Sequence, residues 1–412
     1  MTLPVSVVIV SRDRPEMLRR CLTAVAQLQY AMFEVVVAAD PSGLRVVDEL
    51  DPDRVIKKVP FDVPNISRAR NEACNHASGE IIAFIDDDAV PEPTWLRHLA
   101  APFQRSHVGI AGGFVRGRNG ISWQWKARQL TETGVAQTLT VDETQTTVFA
   151  SPASGAIKTE GTNMAVRRQA LVDLGGFDPA FHFFLDETDL NMRAARAGWA
   201  TAIAPLAQVH HGYAASVRRR ADRAPKSLFD IGASWSVFWR KHVPEAAQAS
   251  ARLSVEQTEK RRALQWMQGG GLDALDVALL MRSLNAGFTK GAERSVGEGA
   301  VLEEPASDFS KMPASQRQSH VLQGWFWQRK ALMERAKTLR ESGDIVTIIL
   351  LSPTALFHRH VFTPDGFWLQ TGGVWGKSDR SDRLVALQTK ARRFSREIMR
   401  IGLVRGLSGE KM

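Results

Sequence analysis

The sequence is poor in cysteine and has no apolar segment long enough to cross a membrane. Cys21 and Cys74 are the only cysteines among 412 residues, which excludes a disulfide scaffold and a zinc site built from cysteine pairs. The longest apolar stretch, residues 345–351, is far shorter than the ~20 residues of a spanning helix. Residues 1–10 also lack the basic start and cleavable apolar core of a secretory signal. We therefore expect a reduced, cytoplasmic protein that crosses no membrane, and a peripheral contact with its inner face stays open.

What is present is a globular composition with a basic surplus. Hydrophobic residues make up 44% of the chain and charged residues 24%, which excludes a disordered or collagen-like protein. Lys and Arg number 53 against 44 Asp and Glu, a formal net charge of +9. Such a surplus indicates an anionic partner, and a nucleotide, a nucleic acid and a membrane headgroup are the candidates. The length suggests two to three domains of about 150 residues.

Strands alternate with helices in the first part of the chain. The patterns predict strands over residues 5–10, 33–39 and 80–85, with helices over residues 15–25 and 66–77 between them. This order predicts an α/β fold with a doubly wound sheet. Ligands of such sheets bind beyond the carboxyl ends of the strands. Asp40 and the triplet Asp86-Asp87-Asp88 follow predicted strands and lie at those ends.

We divide the chain into three regions. Residues 1–245 form the α/β domain, and residues 246–335 form a helical segment with a flexible linker near residues 286–315. Residues 336–412 form a small α+β region of three short strands that ends in a basic amphipathic helix near residues 382–404. Residues 377–412 contain 10 Lys and Arg against 4 Asp and Glu. The helix either packs on its own domain with a solvated basic face, or contacts anionic lipid. No nucleic-acid-binding module accompanies this charge, so we expect no nucleic-acid partner.

Two acidic motifs and a histidine pair carry the chemistry. Asp86 and Asp88 are separated by one residue at a strand end, so both carboxylates can reach one Mg²⁺ or Mn²⁺ ion; a solvated turn is the plainer alternative. Asp186-Glu187-Thr188-Asp189 follows an aromatic run and has more acids than helix capping requires. A carboxylate beside aromatic rings is a better general base. His210-His211 is either structural or a source of metal ligands.

Taken in order, these motifs resemble those of a family 2 glycosyltransferase, over roughly residues 3–245. The matching segments are residues 5–16, 33–42, 69–71, 77–80, 84–88, 167–168, 175–178 and 186–190, with Arg193 and Gly198. The resemblance implies a GT-A fold, which contains a Rossmann-like doubly wound sheet. It also implies inverting transfer of a sugar from a nucleotide-diphospho-sugar to an acceptor hydroxyl, with Mn²⁺ or Mg²⁺ as cofactor.

The resemblance also assigns roles to positions. Asp40 matches the acid that holds the base or ribose of the nucleotide, and Arg68 and Arg70 lie where the nucleotide and diphosphate are approached. Asp86 and Asp88 match the metal-binding motif, and His211, 24 residues after Glu187, matches the family's metal-binding histidine better than His210 does. The remaining nucleotide-sugar-binding candidates are Ser11, Asp13 and Asp87.

Two departures from the family pattern affect these roles. The family usually has Glu-Asp where this chain has Asp186-Glu187, so the general base is either Glu187 or Asp186, with Asp189 in the same catalytic motif. The opening Thr-Tyr-Asn of the family is replaced by Ser11-Arg12-Asp13. The first departure leaves the base unassigned at this stage.

Four residues are candidates for the acceptor side. Gly161 and Asn163 follow the loop after residue 151, and Trp123 and Trp125 lie in a poorly patterned region. The apolar face of a sugar stacks well on an indole, although two tryptophans are also ordinary core residues. We expect a glycan or lipid-linked acceptor in the synthesis of a surface polysaccharide or glycoconjugate.

Two other functions compete with glycosyl transfer. A nucleotidyltransferase that forms sugar nucleotides also uses a doubly wound sheet and a carboxylate-bound metal. Such an enzyme needs a glycine-rich loop after the first strand, and residues 11–15 contain no glycine. A non-catalytic, basic, membrane-binding scaffold is the second alternative.

Overall fold

A ten-stranded mixed sheet forms the centre of the N-terminal half of the protein in this computed structural model. The structure describes residues 2–212, 220, 222–297, 299, 301, 303–313 and 317–407. The strands up to residue 212 are β1 (Val5–Ser11), β2 (Phe33–Ala39), β3 (Lys57–Pro60), β4 (Ile81–Asp86), β5 (Ala89–Pro91), β6 (Val108–Arg116), β7 (Trp123–Trp125), β8 (Arg128–Leu130), β9 (Ala136–Thr138), β10 (Thr147–Phe149), β11 (Ala156–Lys158), β12 (Asn163–Arg167) and β13 (Ala200–His211).

The strand order of the main sheet is β10-β13-β6-β12-β4-β1-β2-β3, with β5 paired to β13 and β7 to β6. Strands β3, β2, β1 and β4 are parallel, while β12 runs antiparallel to its neighbours β4 and β6. Strands β8, β9 and β11 form a separate three-stranded sheet. The predicted α/β class and doubly wound sheet are confirmed.

Helices cover both faces of this sheet because its central strands are apolar on both faces. The helices of this part are α1 (Pro15–Val25), α2 (Pro41–Leu50), α3 (Ile66–His76), α4 (Trp95–Ala100), α5 (Arg168–Asp173) and α6 (Asp186–Arg196), with a 3₁₀ turn at Ala101–Gln104. Val7 of β1 packs with Leu18 of α1 on one face, and Val8 packs with Ala73 of α3 on the other. The free cysteines Cys21 and Cys74 are buried in these two layers.

Three further helices pack together after the sheet: α7 (Phe229–His242), α8 (Glu245–Gln268) and α9 (Ala274–Glu293). Helix α9 extends through the first residues of the predicted linker. Residues 303–313 lie against the sheet domain, where Ser310 N donates to Glu34 Oε2 at 2.8 Å and Met312 N donates to Phe33 O at 2.8 Å. These backbone contacts need no large apolar side chains, which is why the sequence suggested a linker.

The C-terminal region contains a four-stranded sheet. Its elements are β14 (Ser319–Trp325), a 3₁₀ turn (Phe326–Gln328), α10 (Arg329–Glu341), β15 (Ile345–Ser352), β16 (Arg359–Phe362), β17 (Trp368–Gly373) and α11 (Lys390–Arg405). The order is β14-β15-β17-β16; β14, β15 and β17 are parallel and β16 is antiparallel. The three predicted strands correspond to β15, β16 and β17, whereas β14 lies in the segment predicted to be helical.

The basic helix α11 is shorter than predicted and packs inside the protein. It begins at Lys390 because the Thr389 side chain caps it by accepting from Arg392 N. Its apolar side chains Phe394 and Ile401 are buried beside strand β15. These apolar side chains of the helix are therefore covered by the chain itself, whereas Met399 and Leu403 are 67% and 62% exposed. No helix within the described residues has the length and hydropathy needed to span a bilayer.

Candidate active site

Asp86, Asp88 and His211 form a cluster that could hold a divalent metal ion. Their ligand atoms lie within 4.8 Å of one another, and His211 Nε2 is 3.0 Å from Asp88 Oδ1 and 3.9 Å from Asp86 Oδ2. Strand pairing explains the geometry, because His211 of β13 pairs with Ala89 of β5, directly after Asp88. The other ring nitrogen, Nδ1, is 3.0 Å from Gln124 Oε1, a contact that orients the imidazole. Two carboxylates and an oriented imidazole fit a divalent cation.

His210 points away from this cluster, because neighbouring side chains of a strand face opposite sides. Its Nε2 lies 2.8 Å from Glu92 Oε1, and its ring centroid lies 4.8 Å from that of Trp368 in the C-terminal region. Of the two histidines, the structure thus brings His211 to the acidic strand end. It places His210 at a contact between the main sheet and the C-terminal sheet.

Asp87 is turned toward the loop after β1. Ser11 Oγ donates to Asp87 Oδ2 at 2.7 Å, and Arg14 Nη1 donates to Oδ1 at 3.0 Å. Burial raises the pKa of Asp87 to about 7 against the lowering effect of Arg14. Arg14 also lies 3.6 Å from Asp88 Oδ2. Asp87 and Arg14 therefore fasten the first loop to the acidic strand end.

Two of the other nucleotide-side candidates, Asp13 and Asp40, follow the carboxyl ends of β1 and β2, and the third, Arg68, lies in the first turn of α3. The Asp40 side chain caps α2 by accepting from Ser42 N and Gly43 N and also accepts from Ser42 Oγ at 2.6 Å. Burial opposes ionisation, but the bond from the Ser42 hydroxyl and the backbone bonds lower the pKa of Asp40. Asp13 has a left-handed backbone with φ of 60° and a side chain that is 62% exposed. Arg68 is exposed on α3. Asp13 and Arg68 are thus open to a ligand, while Asp40 also serves its own helix.

Arg70 lies between the two acidic motifs. Its guanidinium pairs with Asp186, lies 3.5 Å from Asp86 Oδ1 and donates to Gly161 O at 3.0 Å. The group is buried, with its Cζ 5.6 Å from the centroid of the Phe84 ring. Arg70 therefore joins the metal-binding motif to the start of helix α6.

Glu187 and Asp186 have different surroundings. Lys158 Nζ is 2.8 Å from Glu187 Oε1, and the Glu187 side chain is 13% exposed against 4% for Asp186. Burial opposes ionisation of both, but Lys158 lowers the pKa of Glu187, whereas the pKa of Asp186 is raised by burial despite Arg70. Leu185, directly before them, has φ of 66°, a strained backbone that directs the start of α6.

Asp189 faces away from these two acids. Its carboxylate accepts from His242 Nε2 at 2.8 Å and pairs with Lys241 at 2.8 Å and Arg193 at 2.8 Å. Burial opposes ionisation, but the hydrogen bond from His242 and the nearby cations lower the pKa of Asp189. In the structure, Asp189 fastens α6 to α7.

Only part of the expected acceptor side lies near the cluster. The Trp125 ring centroid is 5.8 Å from that of His211, whereas Trp123 packs under Arg116, whose Cζ is 3.9 Å from its centroid. Asn163 is fully buried: its Oδ1 accepts from Trp95 Nε1 at 2.7 Å, and its Nδ2 donates to Ala207 O at 2.8 Å. Asn163 thus uses its side chain inside the core, and Gly161 reaches the site through its carbonyl on Arg70.

Comparison with known proteins identifies the family. The family model described as "Glycosyltransferase like family 2" matches residues 3–227, more than half of the chain. The chain belongs to this family. The match includes every strand of the main sheet and both acidic motifs, and it ends before α7.

Relatives of this glycosyltransferase-family chain include three curated proteins. The O-antigen biosynthesis protein RfbC of Myxococcus xanthus is 27% identical over 247 residues, 54% of this chain and 18% of RfbC. The succinoglycan biosynthesis protein ExoM of Rhizobium meliloti is 30% identical over 29% of this chain and 41% of its own length. The glucosyl-dolichyl phosphate glucuronosyltransferase of Haloferax volcanii is 25% identical over 43% of this chain and 56% of its own. The chain thus spans 18–56% of the lengths of these relatives.

Solved structures with partial similarity include GalNAc-T7 with UDP, GalNAc and Mn²⁺, at 18% identity and a TM-score of 0.41 over 51% of this chain and 44% of that one. Residues 1–349 of TarS from S. aureus align at 15% identity and a TM-score of 0.42, over 70% of this chain and 89% of that one.

Three residues of the candidate site were not expected from the sequence: Arg14, Gln124 and Lys158. Gln124 and Lys158 come from segments without a motif, whereas Arg14 lies in the first matching segment, where no role was assigned to it; all three reach their partners through folding. With them, charges alternate along the site from Lys158 to Glu187, and from Asp186 through Arg70 to Asp86. Lys158 had no sequence signal, because its strand β11 follows a poorly patterned region and was not predicted.

Proposed function

We propose that the chain is an inverting glycosyltransferase that moves a sugar from a nucleotide-diphospho-sugar to an acceptor hydroxyl. The observation that carries this proposal is the convergence of the Asp86–Asp88–His211 cluster and the Asp186–Glu187 pair at one sheet edge, bridged by Arg70. The cluster suits a diphosphate with its metal ion, and the Asp186–Glu187 pair offers a carboxylate to an attacking hydroxyl. Family membership and relatives named for O-antigen and succinoglycan biosynthesis support a role in making a surface polysaccharide.

Asp86, Asp88 and His211 would hold a divalent cation, Mn²⁺ or Mg²⁺. The bound cation would neutralise charge that develops on the departing diphosphate. Asp13, Asp40 and Arg68 border the strand ends next to this cluster, so the nucleoside part of the donor belongs there. The acceptor, a glycan or lipid-linked saccharide, would approach from the side of Trp125, whose ring lies against His211.

Glu187 is the better candidate for the general base. Lys158 keeps its carboxylate ionised, and its side chain is more exposed than that of Asp186, so an acceptor hydroxyl can reach it. Asp186 is more deeply buried, pairs with Arg70 and is proposed as the residue that positions this arginine. In the reaction, Glu187 takes the hydroxyl proton as the oxygen attacks the anomeric carbon, on the face opposite the diphosphate.

The test begins with a donor screen. A panel of nucleotide-diphospho-sugars is compared by the rise in melting temperature with and without Mn²⁺, because a ligand that binds only the folded state raises stability. The best donor is then used for transfer assays with Glu187→Gln and Glu187→Asp. We expect Glu187→Gln to bind the donor normally and to lose transfer by at least about 100-fold.

Glu187→Asp is the matched control, since it keeps a carboxylate at a position where the family usually has aspartate. We expect it to retain a measurable part of the transfer activity. Normal transfer by Glu187→Gln would exclude this residue as the base. A chain that binds no nucleotide-sugar under any metal condition would contradict the proposed activity as a whole.

A further inference from the structure

Exposed apolar side chains gather at one edge of the small C-terminal sheet. Strands β14, β15 and β17 are neighbouring and parallel. The segments that follow them therefore all leave the sheet on the side where the carboxyl ends of the strands lie. Six apolar side chains of these segments are between 55% and 86% exposed: Phe326, Trp327, Leu356, Phe357, Leu384 and Leu387. We call these six residues the apolar tip. An exposed apolar cluster of this kind marks an interaction surface.

Direct contacts join the three segments into one surface. Trp375 N donates to Thr354 O at 3.1 Å, and Ala386 N donates to Trp375 O at 3.0 Å, which connects the second and third segments. Lys390 Nζ lies 4.9 Å from the centroid of the Trp325 ring, and that ring stacks on Trp327 at 5.1 Å. The first and third segments are therefore adjacent as well. These hydrogen bonds and ring contacts fix the three segments of the apolar tip next to one another.

The surroundings of the apolar tip are strongly basic. Residues 326–330, 353–359 and 374–392 contain eight Lys and Arg against two Asp. Asp382 is already bound by Arg396 and Arg400 of helix α11, and Asp379 accepts from Ser381 N and Oγ. The positive charge of these segments is thus available to an anionic partner.

The composition of the tip separates the possible partners. A sugar stacks on aromatic rings and gains little from aliphatic side chains such as Leu384 and Leu387. A second copy of the chain that docked through the same surface would bring two basic patches together, which is unfavourable. Apolar side chains surrounded by Lys and Arg fit the boundary between headgroups and acyl chains of an anionic membrane.

We propose that the apolar tip docks onto the surface of an anionic lipid bilayer. The six apolar side chains enter the boundary between headgroups and acyl chains, and the surrounding basic side chains meet lipid phosphates and carboxylates. This contact differs from the one considered for helix α11, because Phe394 and Ile401 of that helix are buried in the protein and its exposed Met399 and Leu403 are not part of the apolar tip. Only the first residues of α11, Lys390 and Arg392, belong to the proposed surface.

The test uses the full chain and vesicles of phosphatidylcholine, alone or with about one third phosphatidylserine, in co-sedimentation assays. We expect binding to the anionic vesicles and little to the neutral ones, with a strong decrease at high salt. Trp327→Ser combined with Leu387→Ser should weaken binding at least about tenfold, because both replaced side chains leave the apolar phase. Both positions are highly exposed, so the variant should remain folded, and a cooperative melting transition serves as the folding control.

Leu275→Ser combined with Leu279→Ser is the matched control, since both leucines are exposed on helix α9, away from the tip; it should bind as the unmodified chain does. Met399→Ser with Leu403→Ser tests the exposed part of α11. Loss of binding only in this last variant would overturn the proposal, as would absence of binding to anionic vesicles. Self-association that disappears in the Trp327→Ser, Leu387→Ser chain would assign the tip to a second copy and would also overturn it.

Discussion

The ion pair between Glu92 and Arg405 gives a prediction about how the C-terminal region is held on the glycosyltransferase domain. Arg405 Nε lies 2.9 Å from Glu92 Oε2, and Arg405 Nη2 lies 3.1 Å from Oε1. Both side chains are buried, and His210 also contacts the carboxylate. Replacing Arg405 by methionine keeps most of the volume and leaves the Glu92 carboxylate without its main partner. We expect a large loss of stability.

The size of this loss follows from the pKa of Glu92. Although burial raises it, Arg405 and His210 lower the pKa of Glu92 from 4.5 to about 2. At 1.36 kcal/mol for each pH unit, this difference corresponds to about 3 kcal/mol of folding free energy at neutral pH. Removal of one partner of a buried ion pair costs a similar amount, about 3–5 kcal/mol. We therefore expect Arg405→Met to destabilise the protein by about 3 kcal/mol at pH 7.

The pH dependence has a definite sign. Because the pKa of Glu92 is lower in the folded state, its stabilisation is fully present above about pH 4.5 and is lost as the pH falls toward about 2. In Arg405→Met, burial without the guanidinium raises the pKa of Glu92, so the variant binds a proton at higher pH. The difference in stability between the two proteins should therefore be largest near neutral pH and should decrease on acidification.

Urea unfolding followed by tryptophan fluorescence measures this effect. Trp368 is a suitable reporter, since its ring centroid lies 4.3 Å from the Arg405 guanidinium carbon. Glu92→Gln combined with Arg405→Met is the control, because it removes both charges and leaves no unpaired carboxylate in the interior. This double variant should be less destabilised than the sum of the single variants. Strictly additive losses, or a loss below about 1 kcal/mol for Arg405→Met, would refute the argument.

Three further predictions concern the candidate active site. Lys158→Met should raise the pKa of Glu187 and shift the acidic limb of the rate profile to higher pH, whereas Lys158→Arg should keep it near its original position. Asp88→Asn should abolish the stabilisation by Mn²⁺, which for the unmodified chain is about 2.7 kcal/mol at 100 times the dissociation constant and is measured by thermal unfolding. Asp189→Ala removes the carboxylate shared by Arg193, Lys241 and His242 and should cost about 3 kcal/mol of stability in urea unfolding.

Each of these predictions has a contradicting result. An unchanged acidic limb in Lys158→Met would show that the lysine does not control the ionisation of Glu187. An undiminished Mn²⁺ effect in Asp88→Asn would place the ion elsewhere. A fully stable Asp189→Ala protein that has lost transfer would return Asp189 to a direct role in the reaction.

The parallel strands β1, β2 and β4 of the main sheet were predictable because they are continuous apolar runs, whereas the other strands of that sheet carry weaker patterns. Residues of β1, β2 and β4 are buried on both faces, which leaves few alternatives to a parallel sheet covered by helices. Strand β14 was not predictable, since it lies at the edge of its sheet and most of its residues are only partly buried. Its partner β15 follows after a whole helix, so no local signal connects the two strands.

The candidate site was predictable only where one segment supplies several groups. The spacing of Asp86 and Asp88 placed two carboxylates together, and strand alternation allows only one of His210 and His211 to join them. Side-chain direction was not predictable for Asn163 and Asp189, whose partners come from distant segments and hold them in the interior. Lys158 reaches Glu187 across 29 positions of sequence, a distance at which residue patterns carry no information.

Charge is distributed differently at the candidate active site and around the apolar tip, so salt should affect glycosyl transfer and membrane binding differently. Cations and carboxylates balance within the site, as in the pairs of Arg70 with Asp186 and Lys158 with Glu187, so most of the surplus of +9 lies elsewhere. The segments around the apolar tip contain six more basic than acidic residues, and exposed charges are screened by salt far more than buried pairs. Raising the ionic strength should therefore release the chain from anionic vesicles while transfer to a water-soluble acceptor changes little. If vesicle binding and transfer to the water-soluble acceptor decreased together, the basic surface would act in the reaction itself rather than in a separate contact with a membrane.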